Sequence, residues 1–461
     1  MNDSYARKAA TNLAQTDWLV GEAKNRSSSH QYNIGDALSI ASCPIPQEIA
    51  FARVRDTFAR HETLRTIFEP TPAGWNQNVV DMRDWDPSTS ITFVPSDRDA
   101  SRYGPRDVRD HDFDIYSELP CRVQIHTDAD FAVAVKVAAD HAATDLWGMQ
   151  VLMKELHSRL SREPAQIADE LSAAVLQPID VALSERFGRN REVIARNLDS
   201  WQRIIDQVYS RSDDFVVESL EEAKHGYTTC TVESRQFHVD LSRVASRFGI
   251  TRPAAGLLVF ILVDAVASDC DFVFVLAAAA NRYRIEERGA VGKMSLNAPV
   301  LMEVNASTEI LPFAKRVLKE HLLSLSIARV DRQDREKIVA DRVLRTAPDI
   351  LDRYYNYAAL ATLPDRYVTN RHSPKKLMHD IEPECAVSIS DIGHILEVGV
   401  GEGLHSDRLY VQVANRLGGR DKGNLVLDLM VAGAEILASV DRQTTVGKML
   451  SLIRSRFESR C

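Results

Sequence analysis

Two hydrophobic periods alternate along this chain. Phe51 to Arg60 (FARVRDTFAR) place apolar side chains at helical spacing and run into HETLRTIF, where Leu64, Ile67 and Phe68 predict a helix end turning into a strand. Phe131, Val133, Val135 and Val137 occupy alternate positions, which predicts a strand with one heavily buried face. That strand runs into DHAATDLWG, and Leu146 to Leu160 then show helical spacing. His141 therefore falls at a junction of strand, short loop and helix. Rigid elements on both sides hold such a loop still, which makes it a good place for chemistry.

The second half repeats the alternation. Phe237, Val239 and Leu241 suit a strand, and Thr251 with Pro253 suits the capped start of a buried helix. The longest apolar run, Ala254 to Val263, stops at Asp264. It falls short of the roughly 20 residues a membrane span needs. Phe272 to Leu276 predicts another strand, ending at AAAANRYR. Leu409 to Val413 and Leu425 to Val431 flank Gly418, Gly419 and Gly423, which predicts a hairpin, and a last helix is expected from Val446 to Phe457. At 461 residues the chain exceeds one comfortable core. The stretch 163–192, with Pro164 and Pro178, is where a crossover is expected, which divides the chain into halves 1–178 and 179–461. The predicted class is α/β (α+β), with mixed sheets and flanking helices in both halves.

Composition narrows the function classes. A net charge of −9 without a dense Lys/Arg cluster argues against a nucleic-acid binder, and 45% hydrophobic residues argue against disorder. Six scattered cysteines (Cys43, Cys121, Cys230, Cys270, Cys385 and Cys461) contain no CxxC pair, so free thiols in a reducing cytosol are expected. The N-terminus lacks an apolar signal core, which makes a cytoplasmic protein without a membrane partner the expectation. No metal is expected, because the other histidines offer no His-x-x-x-His partner segment. GVGEG at 399–403 lacks the third glycine of a dinucleotide loop, and LHSDRLYVQV after it reads as strand where that loop needs a helix. P-loop, Gly-x-Ser-x-Gly and His-Glu-x-x-His patterns do not occur.

A His and an Asp four apart carry little weight alone. Asp145 precedes an apolar-periodic helix, so a bare His-x-x-x-Asp favours an N-cap. The order of motifs changes the balance. Asn12-Leu13-Ala14-Gln15 precedes Trp18, RHETLRTIF stands at 60–68, and Phe113-Asp114-Ile115 precedes Pro120 and Arg122. Asp140-His141-Ala142-Ala143-Thr144-Asp145-Leu146 comes next, then NRYR at 281–284, Val291-Gly292, Asn297 and Arg332-Gln333-Asp334. In this order the chain resembles the condensation domains of nonribosomal peptide synthetases, within the chloramphenicol-acetyltransferase-like (CoA-dependent) acyltransferases. RHETLRTIF matches in full. Two departures fall at the centre: Asp140 stands where the family has its first His, and Leu146 where it has Gly. Lys293-Met294-Ser295 replaces an aromatic stretch.

The resemblance implies two acyltransferase-like halves forming a V with the site between them, and His141 as the catalytic residue. It implies that Asp145 is structural and pairs with an Arg, for which Arg282 is the best match. Asp140, Leu146, Trp147 and Asn297 are candidate lining residues. Strand closure is the preferred role for Asp140, and core packing for Trp147. No bound cofactor is implied. The acyl group would arrive as a thioester on the phosphopantetheine of an acyl or peptidyl carrier protein acting in trans. Leu146, in place of the family's Gly, narrows the path for a carrier-bound acceptor and points to a small soluble amine or alcohol, with a carrier-bound acceptor as the alternative. Such an enzyme would serve natural-product or antibiotic biosynthesis. Two alternatives stay open: an acyl-CoA-dependent transferase, and a non-catalytic condensation-like domain that recruits a partner protein.

Overall fold

A computed structural model describes residues 5–24, 32–96, 106–162, 173–187, 189–211, 226–340, 353–359, 384–388, 395–403 and 405–458. Residues 163–172 of the expected crossover, and Cys461, lie outside them. The chain forms two compact units. One contains Met1–Val193 and Ala280–Ser295; the other contains Ile194–Ala279, Leu296–Leu360 and Ser373–Cys461.

The first unit carries eight strands: β1 (Tyr5–Ala10), β2 (Ile34–Ser39), β3 (Ile45–Pro46), β4 (Thr66–Thr71), β5 (Gly74–Val80), β6 (Ile91–Pro95), β7 (Cys121–Asp128) and β8 (Phe131–Ala139). Strands β1, β5 and β4 form a small antiparallel sheet. The larger sheet runs β2-β8-β7-β6, with β3 added to β8. Helices α1 (Leu13–Lys24), α2 (Gln47–Arg60) and α3 (Leu146–Ser161) belong to this unit, and Pro178–Arg186 forms α4. Val54 and Phe58 of α2 and Met149, Leu152, Met153 and Leu156 of α3 close one core with Val123, Val135 and Val137 of the sheet. Strand β8 departs from its predicted alternation: Phe131 is exposed and Val133 half-buried, whereas Ala132, Ala134, Ala138 and Ala139 are enclosed along with Val135 and Val137. Small side chains there leave room for close layers on both faces.

The second unit has a seven-stranded mixed sheet. Its strands are β9 (Tyr227–Ser234), β10 (Phe272–Ala279), β11 (Leu296–Glu303), β12 (Arg353–Ala359), β13 (Glu384–Ser388), β14 (Leu396–Glu402) and β15 (Asp407–Ala414). Their order is β11-β10-β12-β14-β15-β9-β13. Helices α5 (Arg235–Phe248), α6 (Arg252–Ala267) and α7 (Gly419–Ser439) pack with it, and Val446–Glu458 forms the last helix. Helix α6 starts as expected, with Thr251 capping the Ala254 N–H, and it is buried on every side from Ala254 to Val266. Asp264 ends the apolar run, and Arg353 of β12 pairs with it at 3.1 Å, so its charge is not left without a partner.

Two element assignments change. Phe237 to Leu241 lie in α5, not in a strand. Phe237, Leu241, Val244, Ala245 and Phe248 form its buried face, Ser234 caps it, and Gly249 closes it with a left-handed φ of 59°. Three alternating residues were too short a window to separate the two periods. Leu425 to Val431 lie in α7, so no hairpin forms after β15. Gly418 and Gly419, at φ of 101° and 47°, turn the chain directly into the helix.

The free-thiol expectation fails at one pair. Cys230 and Cys385 oppose each other on β9 and β13 and form a disulfide, whereas Cys43, Cys121 and Cys270 are free. A separation of 155 residues concealed the pair, since only strand pairing brings the two together. Among the described residues no single helix is long and apolar enough to cross a membrane.

Candidate functional site

The loop after β8 is built by Asp140. Its carboxylate accepts the Ala142 N–H at 2.6 Å, its carbonyl accepts the Ala143 N–H at 3.0 Å, and its own N–H donates to the Pro120 carbonyl at 2.9 Å. The side chain is 1% exposed. Burial pushes its carboxyl up to about 6, against the opposing pull of the Ala142 N–H and the Trp18 indole. Asp140 thus closes the strand and shapes the turn.

This turn presents His141. Its Nδ1 lies 2.8 Å from the Thr144 carbonyl, an acceptor only, so Nδ1 carries the proton and donates. The Nε2 lone pair has no partner among the described residues. Trp18 of α1 packs edge-on against the imidazole, with ring centroids 4.7 Å apart. Burial and the nearby Lys293 ammonium hold the imidazole far below its ordinary range, at about 3, so it is neutral at physiological pH.

Asp145 anchors the other end of the loop. Its Oδ1 accepts the Gly148 N–H at 2.8 Å, capping α3, and Arg282 Nη2 at 2.9 Å. Its Oδ2 accepts Arg282 Nη1 at 2.8 Å and the N–H groups of Met294 and Ser295 at 2.9 and 2.8 Å. The cap and the Arg partner are therefore both present in one residue. Burial alone would raise this carboxyl, but the guanidinium, Lys293 and the Gly148 N–H bring it down to about 2. Asn281, at a left-handed φ of 55°, turns the chain after β10 so that Arg282 meets Asp145. By its contacts Arg282 belongs to the same unit as Asp145.

The remaining candidates sort by place. Leu146 is half-buried at the start of α3. Trp147 is 41% exposed, so the expected core packing is wrong. Its indole N–H instead donates to the Arg288 carbonyl at 3.0 Å, which keeps the ring at the surface. Asn297 lies on β11 in the second unit, opposite Ala278. Among the described residues no three His, Cys, Asp or Glu side chains are grouped to hold a metal ion.

Two participants went unassigned in the sequence. Gly148 lets α3 approach the 280–295 segment so closely that a Cβ would lie 2.9 Å from the Gly292 nitrogen and 3.0 Å from its carbonyl oxygen. Lys293 is buried beside the loop. The substitution of Lys293-Met294-Ser295 for an aromatic stretch was the available signal for it.

No family model matches the chain. It is 28% identical over 158 residues to an isonitrile lipopeptide synthase of Mycobacterium tuberculosis, covering 34% of this chain and 6% of that protein. It is 24% identical over 219 residues to a nonribosomal peptide synthetase of Salinispora arenicola, covering 46% and 3%. The matches thus span only a small fraction of either relative. A condensation domain that mediates chain release from the enacyloxin polyketide synthase superposes with a TM-score of 0.70 at 15% identity, covering 94% of this chain and 84% of that one. The chain has the condensation-domain fold. A second condensation-domain structure, the starter domain of rhizomide synthetase in complex with C8-CoA, gives a TM-score of 0.67 at 13% identity and covers 96% and 97%. Of the motif residues, Trp18 packs against His141, Thr63 bonds to the Ala143 carbonyl and Arg282 bonds to Asp145.

Proposed function

We propose that the chain is a condensation enzyme. It joins an acyl thioester, presented on the phosphopantetheine of a carrier protein, to an amine or hydroxyl acceptor, with His141 as the general base. One observation carries this reading. The imidazole is neutral, its Nδ1 proton is committed to the Thr144 carbonyl, and its Nε2 lone pair is uncommitted. An attacking amine has to lose a proton as it bonds to the thioester carbonyl carbon, and Nε2 can take it. The tetrahedral intermediate then expels the thiolate, which recovers the proton from the imidazolium, so the base is regenerated. Asp145 and Arg282 hold the loop and do not take part in proton transfer.

The test is single turnover with a purified acyl-carrier protein as donor. His141→Ala should remain folded and lose a factor of about 10² to 10⁴ in rate, typical of a missing general base. Near-wild-type turnover by the variant would remove His141 from the mechanism and leave substrate-assisted catalysis as the better reading. A second donor class is favoured by the C8-CoA held in the rhizomide synthetase domain. Comparable rates with an acyl-CoA and the matching acyl-carrier protein would favour the CoA-dependent reading.

A further inference from the structure

The first unit carries an apolar surface that the reaction centre leaves without a task. Ile285 and Phe187 are the two most exposed large apolar side chains among the described residues, at 78% and 69%, and Trp147, Leu183 and Tyr283 are exposed as well. Contacts join them into one face. The Trp147 indole N–H, at the start of α3, donates at 3.0 Å to the carbonyl of Arg288, which ends the short helix Ile285–Arg288. Arg284 Nη2 donates to Asn190 Oδ1 at 3.3 Å, and Asn190 Nδ2 donates to the Ser184 carbonyl at 3.0 Å. Leu183 and Phe187 stand beside Ser184, at the end of α4. Beneath them Val181, Ala290 and Met294 form a small core, which gives α4 and the 283–288 stretch a common base. Clustered exposed apolar side chains of this kind mark interaction surfaces.

The charges around this face are sorted by sign. Glu185 turns inward, where its carboxylate accepts the Leu13 N–H at 2.9 Å. Glu287 turns inward too and accepts the N–H groups of Tyr283 and Arg284 at 2.8 and 3.0 Å. Both glutamates are buried. Arg186, Arg284 and Arg288 stay exposed, and within 183–187 and 283–288 only Glu286 is an exposed carboxylate. In a chain of net charge −9 this face is therefore locally cationic.

We propose that this face is the docking surface for the carrier protein, which meets it with an acidic surface around an apolar centre. The assignment rests on the condensation reading and gives its protein partner a place on the chain. Apolar and aromatic side chains ringed by guanidinium groups match the composition of protein interfaces, where aromatic residues and Arg are enriched. The same arginines steer an acidic partner in and repel a basic one. A second copy of the chain fits poorly, because a two-fold contact would set the arginines against one another. Trp147 follows closely on Asp145, which anchors the His141 loop and caps α3. A carrier held here is therefore seated at the helix that ends that loop.

Two measurements on the full chain test the face: calorimetric binding of the holo acyl-carrier protein, and single turnover with the acyl group on that carrier or on a small soluble thioester that needs no docking. Ile285→Asp, and Arg284→Glu combined with Arg288→Glu, should each weaken carrier binding about ten-fold or more. The carrier concentration giving half-maximal rate should rise in step. Rates with the soluble thioester and melting temperatures should match the wild type. If Ile285→Asp folds poorly, the exposed arginine pair decides. Added salt should weaken carrier binding by the wild type more than by the arginine variant. Carrier-dependent product with binding unchanged in both variants would overturn the docking face alone. Binding that both variants weaken, without product from either donor, would overturn the condensation reading alone. The assignment of this face also falls if the wild type does not bind the carrier, if it binds phosphatidylglycerol–phosphatidylcholine vesicles instead, or if it self-associates through a contact that Ile285→Asp disperses.

Discussion

At the scale of single residues, the chemistry depends on keeping His141 neutral. Its pKa is depressed, so the unfolded state takes up a proton as pH falls below about 6.5 while the folded state does not until about 3. The folded protein therefore loses stability from this residue as pH falls through that window, and the loss is absent above it. His141→Ala removes the effect. Relative to wild type, the variant should gain about 1–2 kcal/mol on moving from pH 8 to pH 5, read from thermal melts at both values. Asp140 titrates in the opposite sense but is present in both proteins, so it largely cancels. A difference that does not change with pH would mean that His141 is not held neutral. The Asp145–Arg282 pair makes a second prediction. Asp145→Ala and Arg282→Ala should each cost about 3–5 kcal/mol, because each strands a buried charge. The double variant should lose less than the sum, since both report one interaction. Additive losses in chemical denaturation would show that the two are energetically independent.

At the scale of elements, the recognised motifs are largely scaffolding. Asn12 and Gln15 bond reciprocally to each other's backbone N–H, a capping box that starts α1 and sets Trp18 against His141. Within RHETLRTIF, Thr63 Oγ1 donates to the Ala143 carbonyl at 2.6 Å and so grips the His141 loop. Buried His61 meets the half-buried Glu155 of α3 at 2.8 Å. Glu155 is itself held at about 2, where hydrogen bonds from His61 and Arg159 outweigh its burial. The tightest joint is Gly148 on α3. Gly148→Ala would drive a methyl into Thr144 and the Gly292 backbone, and overpacking of this kind costs about 1–3 kcal/mol. The variant should melt earlier and lose single-turnover rate together, because Gly292 and Asp145 share this contact. A variant that melts and turns over as wild type would show that the 280–295 segment yields at no cost.

At the scale of the whole molecule, chain order and contact order diverge. Residues 280–295 follow β10 of the second unit but belong by contact to the first. They bring Arg282, Gly292, Lys293, Met294 and Ser295 to a loop whose own residues end at Asp145. In the second unit α6, apolar from Ala254 to Val263, and the seven-stranded sheet form one core, with buried Asp264 paired to half-buried Arg353. The Cys230–Cys385 bond closes that sheet at its β9–β13 edge.

What the sequence determined by itself was local. The period of the apolar residues placed α2, α3, α6, β8 and β10, because each of those elements buries one consistent face or all of its faces. The order of the motifs pointed to the fold. Short windows misread α5 and α7, since three or four apolar residues satisfy either period and only the length of the element separates them. Tertiary structure alone decided the disulfide, the surface position of Trp147 and the charge environment of Lys293. Each of these depends on groups far apart in sequence, and burial and electrostatic fields exist only once the chain has closed around them.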